Sequence, residues 1–193
     1  AAIDAASDGD TINVAAGTFF ESDITIDKPL TLVGTGQSQT IIGPALVSAR
    51  GNTNSPEGSH TALLIKANNV TIKDLTIDGN ANTGLSPATL NFHNGIYQPG
   101  ISTNNLTVEN VTIQNVFWRG INLRYGGNGH LIDHVTVNNV SGYAAGTEDR
   151  YQNIGIMVFA PSSSEIRNCV VTNSGVGIAT GSAGQMNIIN WHD

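Results

Sequence analysis

Three short segments of the chain carry aromatic rings, two of them together with amide or guanidinium groups, and two further segments begin in the same way. Each opens with glycine or alanine followed by an aliphatic residue, and the segments are 62–66, 95–98, 120–125, 155–159 and 177–180. If the segments are strands, alternate side chains point inward and the others face solvent. The predicted solvent-facing residues in or beside them, called the aromatic strip below, are Lys66, Tyr97, Asn122, Arg124, Tyr125, Met157 and Phe159. The strip is flanked by His93 and Trp118 on one side and by Arg150 and Tyr151 on the other.

The side chains of the aromatic strip suit a sugar. Aromatic rings stack on the apolar faces of sugar rings, while amide and guanidinium groups pair with hydroxyls. The strip therefore predicts a surface that binds a polysaccharide. The predicted binding residues are Tyr97, Asn122, Met157, Phe159, Lys66, Trp118, Arg150 and Tyr151.

A repeated segment shows which elements would position this strip. The segment 105–116, NLTVENVTIQNV, recurs in variant form at 69–80, 130–140 and 164–174. Each copy reads as two short strands rich in β-branched residues. Self-similarity of this kind predicts a solenoid, in which every turn buries its apolar face against its neighbours. Polar stretches at 47–60, 81–94 and 141–153 precede strands of the same kind, so we expect the inserted loops to gather beside one sheet.

One polar residue joins the two strands in each copy of the repeat. These residues are Asp74, Asn110, His134, Asn168 and Asn190. We expect them to form a column at a tight bend and to bond to one another and to the backbone. A structural role is therefore favoured over a catalytic one for His134. Cys169 falls on an aliphatic column, so we expect it to be a small buried residue.

Composition limits the functions open to the chain. It has 193 residues and a net charge of −7, with 8 basic and 15 acidic residues and no basic run. This excess of acid argues against nucleic acid and anionic membranes as partners. No apolar stretch approaches the length of a membrane-spanning helix. We expect a single domain over 1–193, with a cap at 1–10 and rungs over 11–193.

The first residues of the chain resemble a known family. The runs AIDAASDGDTINV (2–14), GTF (17–19) and KPLTLVG (28–34) are similar to the opening of right-handed parallel β-helix proteins of the pectin-lyase-like superfamily, which includes polysaccharide lyases and copper-processing accessory proteins. The resemblance implies an all-β fold, a single-stranded right-handed parallel β-helix with a short N-terminal capping helix. It also implies that a substrate groove lies along the sheet of the aromatic strip.

The same resemblance implies catalytic roles if the protein is an enzyme. In such lyases a basic residue abstracts the proton next to a uronate carboxylate, and here Arg124, with Tyr125 as proton donor, would do so. Lys66, Arg119, Arg150 or His130 would neutralise charge. No metal ligands or cofactor are predicted, although the family allows calcium. The acidic pairs and histidine motifs of the related pectin hydrolases do not occur in the sequence.

Three functions are therefore compatible with the sequence. The first is a carbohydrate-binding β-helix module of a secreted, periplasmic or cell-surface protein that acts on plant or microbial polysaccharides. The second is a polysaccharide lyase or related enzyme that acts on uronate-containing glycans. The third is a structural or adhesin segment. Since the sequence stops within a repeat, we expect a longer parent chain and an exposed final rung, which allows a dimer through the open end.

Overall fold

The chain is almost entirely β-structure in a computed structural model, which describes residues 2–46, 60–85, 92–141, 153–159, 161–180 and 186–189. The elements, in chain order, are α1 (Ala2–Ala5), β1 (Thr11–Asn13), β2 (Gly17–Phe20), β3 (Ile24–Ile26), β4 (Thr31–Val33), β5 (Thr40–Gly43), β6 (Thr61–Ile65), β7 (Thr71–Asp78), β8 (Asn94–Tyr97), β9 (Thr107–Val116), β10 (Arg119–Leu123), β11 (Gly127–Asn128), β12 (Leu131–Asp133), β13 (Thr136–Val140), β14 (Ile154–Val158), β15 (Pro161–Ser162), β16 (Ser164–Arg167), β17 (Val170–Thr172), β18 (Val176–Thr180) and β19 (Met186–Ile189).

These strands coil into a right-handed parallel β-helix, which confirms the predicted fold. Sheet A has the strand order β1-β4-β7-β9-β12-β16-β19, and β2, β5, β13 and β17 extend it around a corner. Sheet B has the order β18-β14-β10-β8-β6-β3. Strands that pair are far apart in sequence and run parallel, as successive turns of a solenoid must. The predicted capping helix is present as the single turn α1.

The interior is a set of aliphatic columns, as the repeat predicted. In sheet A, Ile72 pairs with Val108, Leu75 with Val111 and Ile77 with Ile113. The columns continue through Ile132, Val135, Val137, Ile166, Cys169 and Val171. All of these residues are buried, and Cys169 lies in the column as predicted. Burial raises the pKa of the Cys169 thiol to about 11, so it remains a neutral apolar group.

The column of polar joints is also confirmed. Asp74, Asn110, His134 and Asn168 take positive φ values between 50° and 58° at the bend between the two halves of each repeat. The Nδ2 of Asn110 donates to Oδ1 of Asp74 at 2.8 Å. Asn and Asp suit this bend because they tolerate the left-handed region better than other non-glycine residues. The fifth predicted joint, Asn190, lies outside the described residues.

His134 occupies its joint without bonding to the joint of the next turn. Its Nδ1 lies 2.8 Å from Oδ1 of Asp133, which also accepts a hydrogen bond from Nδ2 of Asn168 at 2.9 Å. The guanidinium of Arg167 binds the other oxygen of Asp133 at 2.8 Å. Burial raises the pKa of Asp133, but the hydrogen bonds from Arg167 and Asn168 outweigh it and lower that pKa below its ordinary value. His134 is thus bound into a network of ion pairs and hydrogen bonds, as its predicted structural role requires.

A second column of hydrogen-bonded polar side chains, called the second ladder below, lies at the next corner of sheet A. The sequence did not predict it. The Nδ2 of Asn115 donates to Oδ1 of Asp78 at 2.7 Å, and the Nδ2 of Asn139 donates to Oδ1 of Asn115 at 2.8 Å. Asn115 and Asn139 have φ values of 56° and 59°. These turns are therefore fixed in register at more than one bend.

Some short strands were also missed. The strand β2, which begins at Gly17 and pairs with β5, was not predicted. The pair β11 and β15 was not predicted either. The three predicted loops lie mostly outside the described residues, but the strands that follow them, β6, β8 and β14, all belong to sheet B. The insertions therefore enter one sheet, as expected.

Glycines let sheet B approach sheet A closely. A Cβ built on Gly120 would lie 2.5 Å from the carbonyl oxygen of Gly155 and 2.6 Å from Cγ1 of Val137. Gly95 meets Ile113 in the same way one turn earlier. The glycines that open the segments at 95, 120 and 155 are thus a requirement of packing.

We expect Gly120→Ala to lower the free energy of unfolding by about 1–3 kcal/mol, because the added methyl group overpacks a closed contact. Urea unfolding followed by circular dichroism measures this change. Gly84→Ala is the matched control, because its Cβ would meet only Oδ1 of Asn82, at 3.3 Å, and the site is exposed. Equal stability of the two variants would contradict the close approach.

We expect Asn110→Ala to destabilise the protein more than Asn110→Gly, by about 1 kcal/mol. Both variants lose the hydrogen bond to Asp74, but only alanine must be forced into positive φ. Denaturant midpoints of the two variants provide the comparison. If alanine were the better tolerated, the left-handed bend would not be what selects asparagine here.

Candidate functional site

The strand register of sheet B brings the aromatic strip together. Leu64 pairs with Tyr97, Tyr97 with Asn122, and Asn122 with Met157. The alternate residues Leu63, Ile96, Ile121 and Ile156 are fully buried and belong to the interior core. The strip therefore lies in a row along the outward face of sheet B, parallel to the axis of the solenoid.

The exposure of the strip differs from the prediction. Asn122 is 0% exposed and Met157 is 3% exposed, so the expectation that they face solvent is wrong. Met157 is buried without being a member of the interior core, so it is covered on its outer side. Strand alternation determines the face on which a side chain lies, but it carries no information about what covers that face.

The other strip and flanking residues range from half-buried to exposed. Tyr97, Trp118 and Phe159 are half-buried, whereas Lys66, Arg124 and Tyr125 are exposed. Arg150 and Tyr151 lie outside the described residues. The described part of the strip thus offers three half-buried rings and one exposed ring beside its buried polar centre.

A buried hydrogen-bonded chain forms the polar centre. The Nδ2 of Asn122 donates to Oδ1 of Asn94 at 3.1 Å, and the Nδ2 of Asn94 donates to Oγ1 of Thr61 at 3.3 Å. The Oδ1 of Asn122 is buried and has no hydrogen-bond partner among the described residues. Leaving such an acceptor unsatisfied costs about 1–3 kcal/mol of stability.

Aromatic rings gather at the corner where the sheet B strands begin. The His93 and Trp118 rings lie 4.8 Å apart between centroids, and the guanidinium carbon of Arg119 lies 3.6 Å from the centre of the Trp118 ring. The Nε1 of Trp118 is a buried donor that no other described residue satisfies. Arg119 is itself buried, and its charge is therefore held at the site by stacking on the indole.

Burial and charge shift two pKa values in the site. Burial, together with the nearby positive charge of Arg119, lowers the pKa of His93 to about 4. Burial and a hydrogen bond with Tyr125 raise the pKa of Tyr97 to about 12. At neutral pH the site therefore presents a neutral imidazole and a neutral phenol.

The predicted catalytic pair, Arg124 and Tyr125, is brought together at the end of β10. The guanidinium carbon of Arg124 lies 5.3 Å from the centre of the Tyr125 ring. Buried Gln98 holds this turn, since its Nε2 donates to the carbonyl of Gly126 at 2.9 Å and its Oε1 accepts from the Tyr125 amide at 3.2 Å. Both members of the pair are exposed, and their catalytic role remains a prediction.

Two contributors to the site were not found from the sequence. Asn94 and Gln98 lie at the two ends of β8 and are 2% and 0% exposed. Both looked like ordinary polar residues at strand ends. Only the parallel register, which sets Asn94 against Arg119 and leaves Gln98 beside the turn of the next rung, shows that they orient the site.

The described residues contain no cluster of three or more His, Cys, Asp or Glu side chains able to hold a metal ion. The calcium that the family allows remains a prediction. Within the same described ranges, no helix has the length and apolar character needed to cross a membrane.

Comparisons with known proteins give similarity of fold. No protein-family model and no curated protein sequence matches the chain. Among solved structures, a pectin methylesterase in complex with hexasaccharide VII is 19% identical with a TM-score of 0.45, over 89% of this chain and 60% of that one. The pectin methylesterase PemA from Erwinia chrysanthemi is 18% identical with a TM-score of 0.45, over 88% and 59%. The catalytic domain of a GH87 α-1,3-glucanase in complex with nigerose is 14% identical with a TM-score of 0.48, over 94% and 40%.

This chain therefore spans between 40% and 60% of the length of those three proteins. Both kinds of protein are right-handed parallel β-helices of the pectin-lyase-like superfamily. That is the fold which the strand pairing of this chain establishes on its own. This similarity assigns no activity to the chain, because the sequence identities and the TM-scores are both low.

The depressed pKa of His93 predicts that acid destabilises the fold. The folded pKa is about 4 and the unfolded value about 6.5, so the unfolded state binds the proton first as pH falls through that window. We expect stability to fall between about pH 6.5 and pH 4 by up to about 3 kcal/mol, and His93→Gln to remove this part of the dependence. Urea unfolding across this range measures the loss. An NMR titration midpoint near 6.5 for the His93 ring would contradict the assignment.

Proposed function

We propose that this protein is a non-catalytic carbohydrate-binding β-helix module, and that it binds a polysaccharide along the outward face of sheet B. The observation that carries the proposal is the row along the outward face of sheet B, in which the half-buried Tyr97 ring lies on β8 and the half-buried Phe159 ring follows β14. The apolar face of a sugar unit stacks on such rings, and its hydroxyls can pair with the exposed guanidinium of Arg124 beside them.

The shape of the site favours a polymer. The strip runs across successive strands, whose spacing is about 4.8 Å, and so extends along the axis of the solenoid. Tyr97, Phe159 and Tyr125 are distributed over three neighbouring strands or their ends. A linear glycan lying along the axis could contact several of these rings at once, whereas a monosaccharide would reach one.

The charge of the site allows an acidic glycan. Arg119 lies at the corner where the sheet B strands begin, and Arg124 and Lys66 follow the ends of β10 and β6 on the same sheet. These are three of the 8 basic residues in an acidic chain. Their concentration at sheet B lowers the electrostatic cost of bringing a carboxylate-bearing chain to the surface. As part of the proposal, the protein acts outside the cytoplasm, where such polysaccharides occur.

Catalysis is the second candidate, and one observation favours it. The Arg124 guanidinium and the Tyr125 ring lie together, as a base and proton donor acting on a uronate would need to. The structure offers a simpler reason for their proximity, a cation–π contact between two exposed side chains. A lyase would have to form unsaturated uronate products, and the absorbance of the reaction mixture detects them.

The test is binding to immobilised pectins, xylans and β-glucans, measured by affinity electrophoresis and calorimetry. We expect Tyr97→Ala and Phe159→Ala each to weaken binding to the preferred glycan by about 1–3 kcal/mol, because each removes a stacking surface. Tyr97→Phe should retain most of the affinity. Val170→Ala is the matched control, because Val170 is an exposed apolar residue on sheet A.

The outcomes separate the three functions. Binding without cleavage, weakened by the strip variants and not by the control, supports the module. A rise in the absorbance of unsaturated uronate products that is lost in Arg124→Ala would replace it with the lyase. A folded protein that neither binds nor cleaves any of these glycans would leave a structural segment as the function.

A further inference from the structure

A column of side chains, called the edge column below, lies at the ends of the sheet B strands. Its members are each two residues beyond the paired row formed by Thr25, Leu64, Tyr97, Asn122 and Met157. Strand alternation therefore points them to the same outward side as that row. In order along the axis the edge column contains Asp27, Lys66, Pro99, Arg124 and Phe159. The Phe159 amide donates to the carbonyl of Leu123 at 2.9 Å, so the ladder of backbone bonds extends to this edge.

The edge column holds two cations that are separated by one turn. Lys66 and Arg124 are exposed, and Pro99 lies on the turn between them. Neighbouring turns are about 4.8 Å apart, so the two cationic side chains leave the backbone about 9.6 Å apart. Neither cation forms an ion pair with another described residue. Both charges are therefore available to a ligand.

The other members of the edge column limit where an anion is favoured. Asp27 is exposed and repels an anion placed beyond Lys66. Pro99 is half-buried and uncharged, and beyond Arg124 the half-buried Phe159 offers an apolar ring. An anionic ligand along this column therefore meets favourable charge at two positions, one on each side of Pro99.

Asparagines at the adjoining corner add hydrogen-bond donors. The Oδ1 of Asn68 accepts from the backbone amide of Asn104 at 2.7 Å, and the Oδ1 of Asn104 accepts from that of Asn128 at 2.9 Å. These bonds occupy the acceptor oxygens, whereas the Nδ2 groups of Asn68 and Asn104 donate to no described residue. The corner therefore favours a ligand that is rich in acceptors, as an acidic sugar is.

We propose that the polysaccharide bound along sheet B carries an anionic group on every second sugar unit of one side, and that Lys66 and Arg124 pair with two successive groups. This inference rests on the proposed function and names the class of glycan. In an extended β-linked glycan neighbouring units face opposite ways, so groups on one side recur every two units. Two sugar units are close in length to the two turns between Lys66 and Arg124.

The edge column and the aromatic strip thus have different tasks. The rings of the strip stack on a sugar whether or not it is charged. The two cations distinguish an acidic glycan from a neutral one and favour acidic groups at the matching spacing. Lys66 and Arg124 are therefore residues that determine specificity.

The test is an NMR-detected titration with a hyaluronan tetrasaccharide, which has two carboxylates two units apart, and with its monomethyl and dimethyl esters. We expect the diacid to bind about tenfold more tightly than the monoester, because esterification removes one of two ion pairs. Lys66→Ala and Arg124→Ala should each weaken binding of the diacid by about tenfold. Each should also remove most of the difference between diacid and monoester, since the second carboxylate then has no partner.

A κ-carrageenan tetrasaccharide, which has one sulfate ester for every two units, distinguishes sulfate from carboxylate as the anion. Binding of either tetrasaccharide that depends on both cations supports the proposal, and the tighter of the two identifies the anionic group. Asp27→Asn should tighten this binding a few-fold, because it removes a negative charge beside Lys66. Lys73→Ala is the matched control, because it removes one positive charge from β7 on sheet A and should leave binding unchanged. Circular dichroism verifies that each variant is folded.

The outcomes that overturn this inference are distinct from those that overturn glycan binding. Equal affinity for the diacid and both esters would overturn it, as would equal weakening by Lys66→Ala and Lys73→Ala, which would indicate attraction to net charge alone. Glycan binding that Tyr97→Ala weakens, while Lys66→Ala and Arg124→Ala leave it unchanged, would overturn the inference and preserve the proposed function. Failure of every glycan to bind would overturn both.

Discussion

Register between successive turns is the constraint on which this structure depends. A slip of one residue in one strand would turn its aliphatic side chains out of the core and place polar ones inside. The bends that fix the register include the columns that contain Asn105, Asn110 and Asn115, where left-handed backbone and a side-chain bond to the preceding turn coincide. The interior columns, the glycine contacts and the row on sheet B all follow from that alignment.

The sequence predicts the part of the fold that repeats. Alternating β-branched residues and a recurring polar joint identify the strands, the core and the first ladder, because every turn meets the same environment. It does not identify β2, because Gly17-Thr18-Phe19-Phe20 occurs once, is exposed on both faces and shows no alternation. The ladder at Asn115 was missed because asparagine is common in turns whether or not it bonds to the next rung.

The candidate site likewise has a part that the sequence predicts and a part that it does not. Tyr97, Asn122 and Met157 share a face because of strand periodicity, so that placement could be predicted. The burial of Asn122 and Met157 could not, since it depends on material outside the sheet. The bond from Asn122 to Asn94 joins residues of different turns and exists only once the turns are stacked. The site is therefore a product of register as well as of composition.

The measurement that tests the account most directly is an NMR titration of the isotope-labelled protein with the glycan it binds best. The side-chain amide of Asn122 belongs to the row on the outward face of sheet B, and the indole N–H of Trp118 lies at the corner where the strands of that sheet begin. The account predicts that these two signals and those of Tyr97 shift first and saturate together. Shifts confined to sheet A, with Asn122 and Trp118 unchanged, would contradict it.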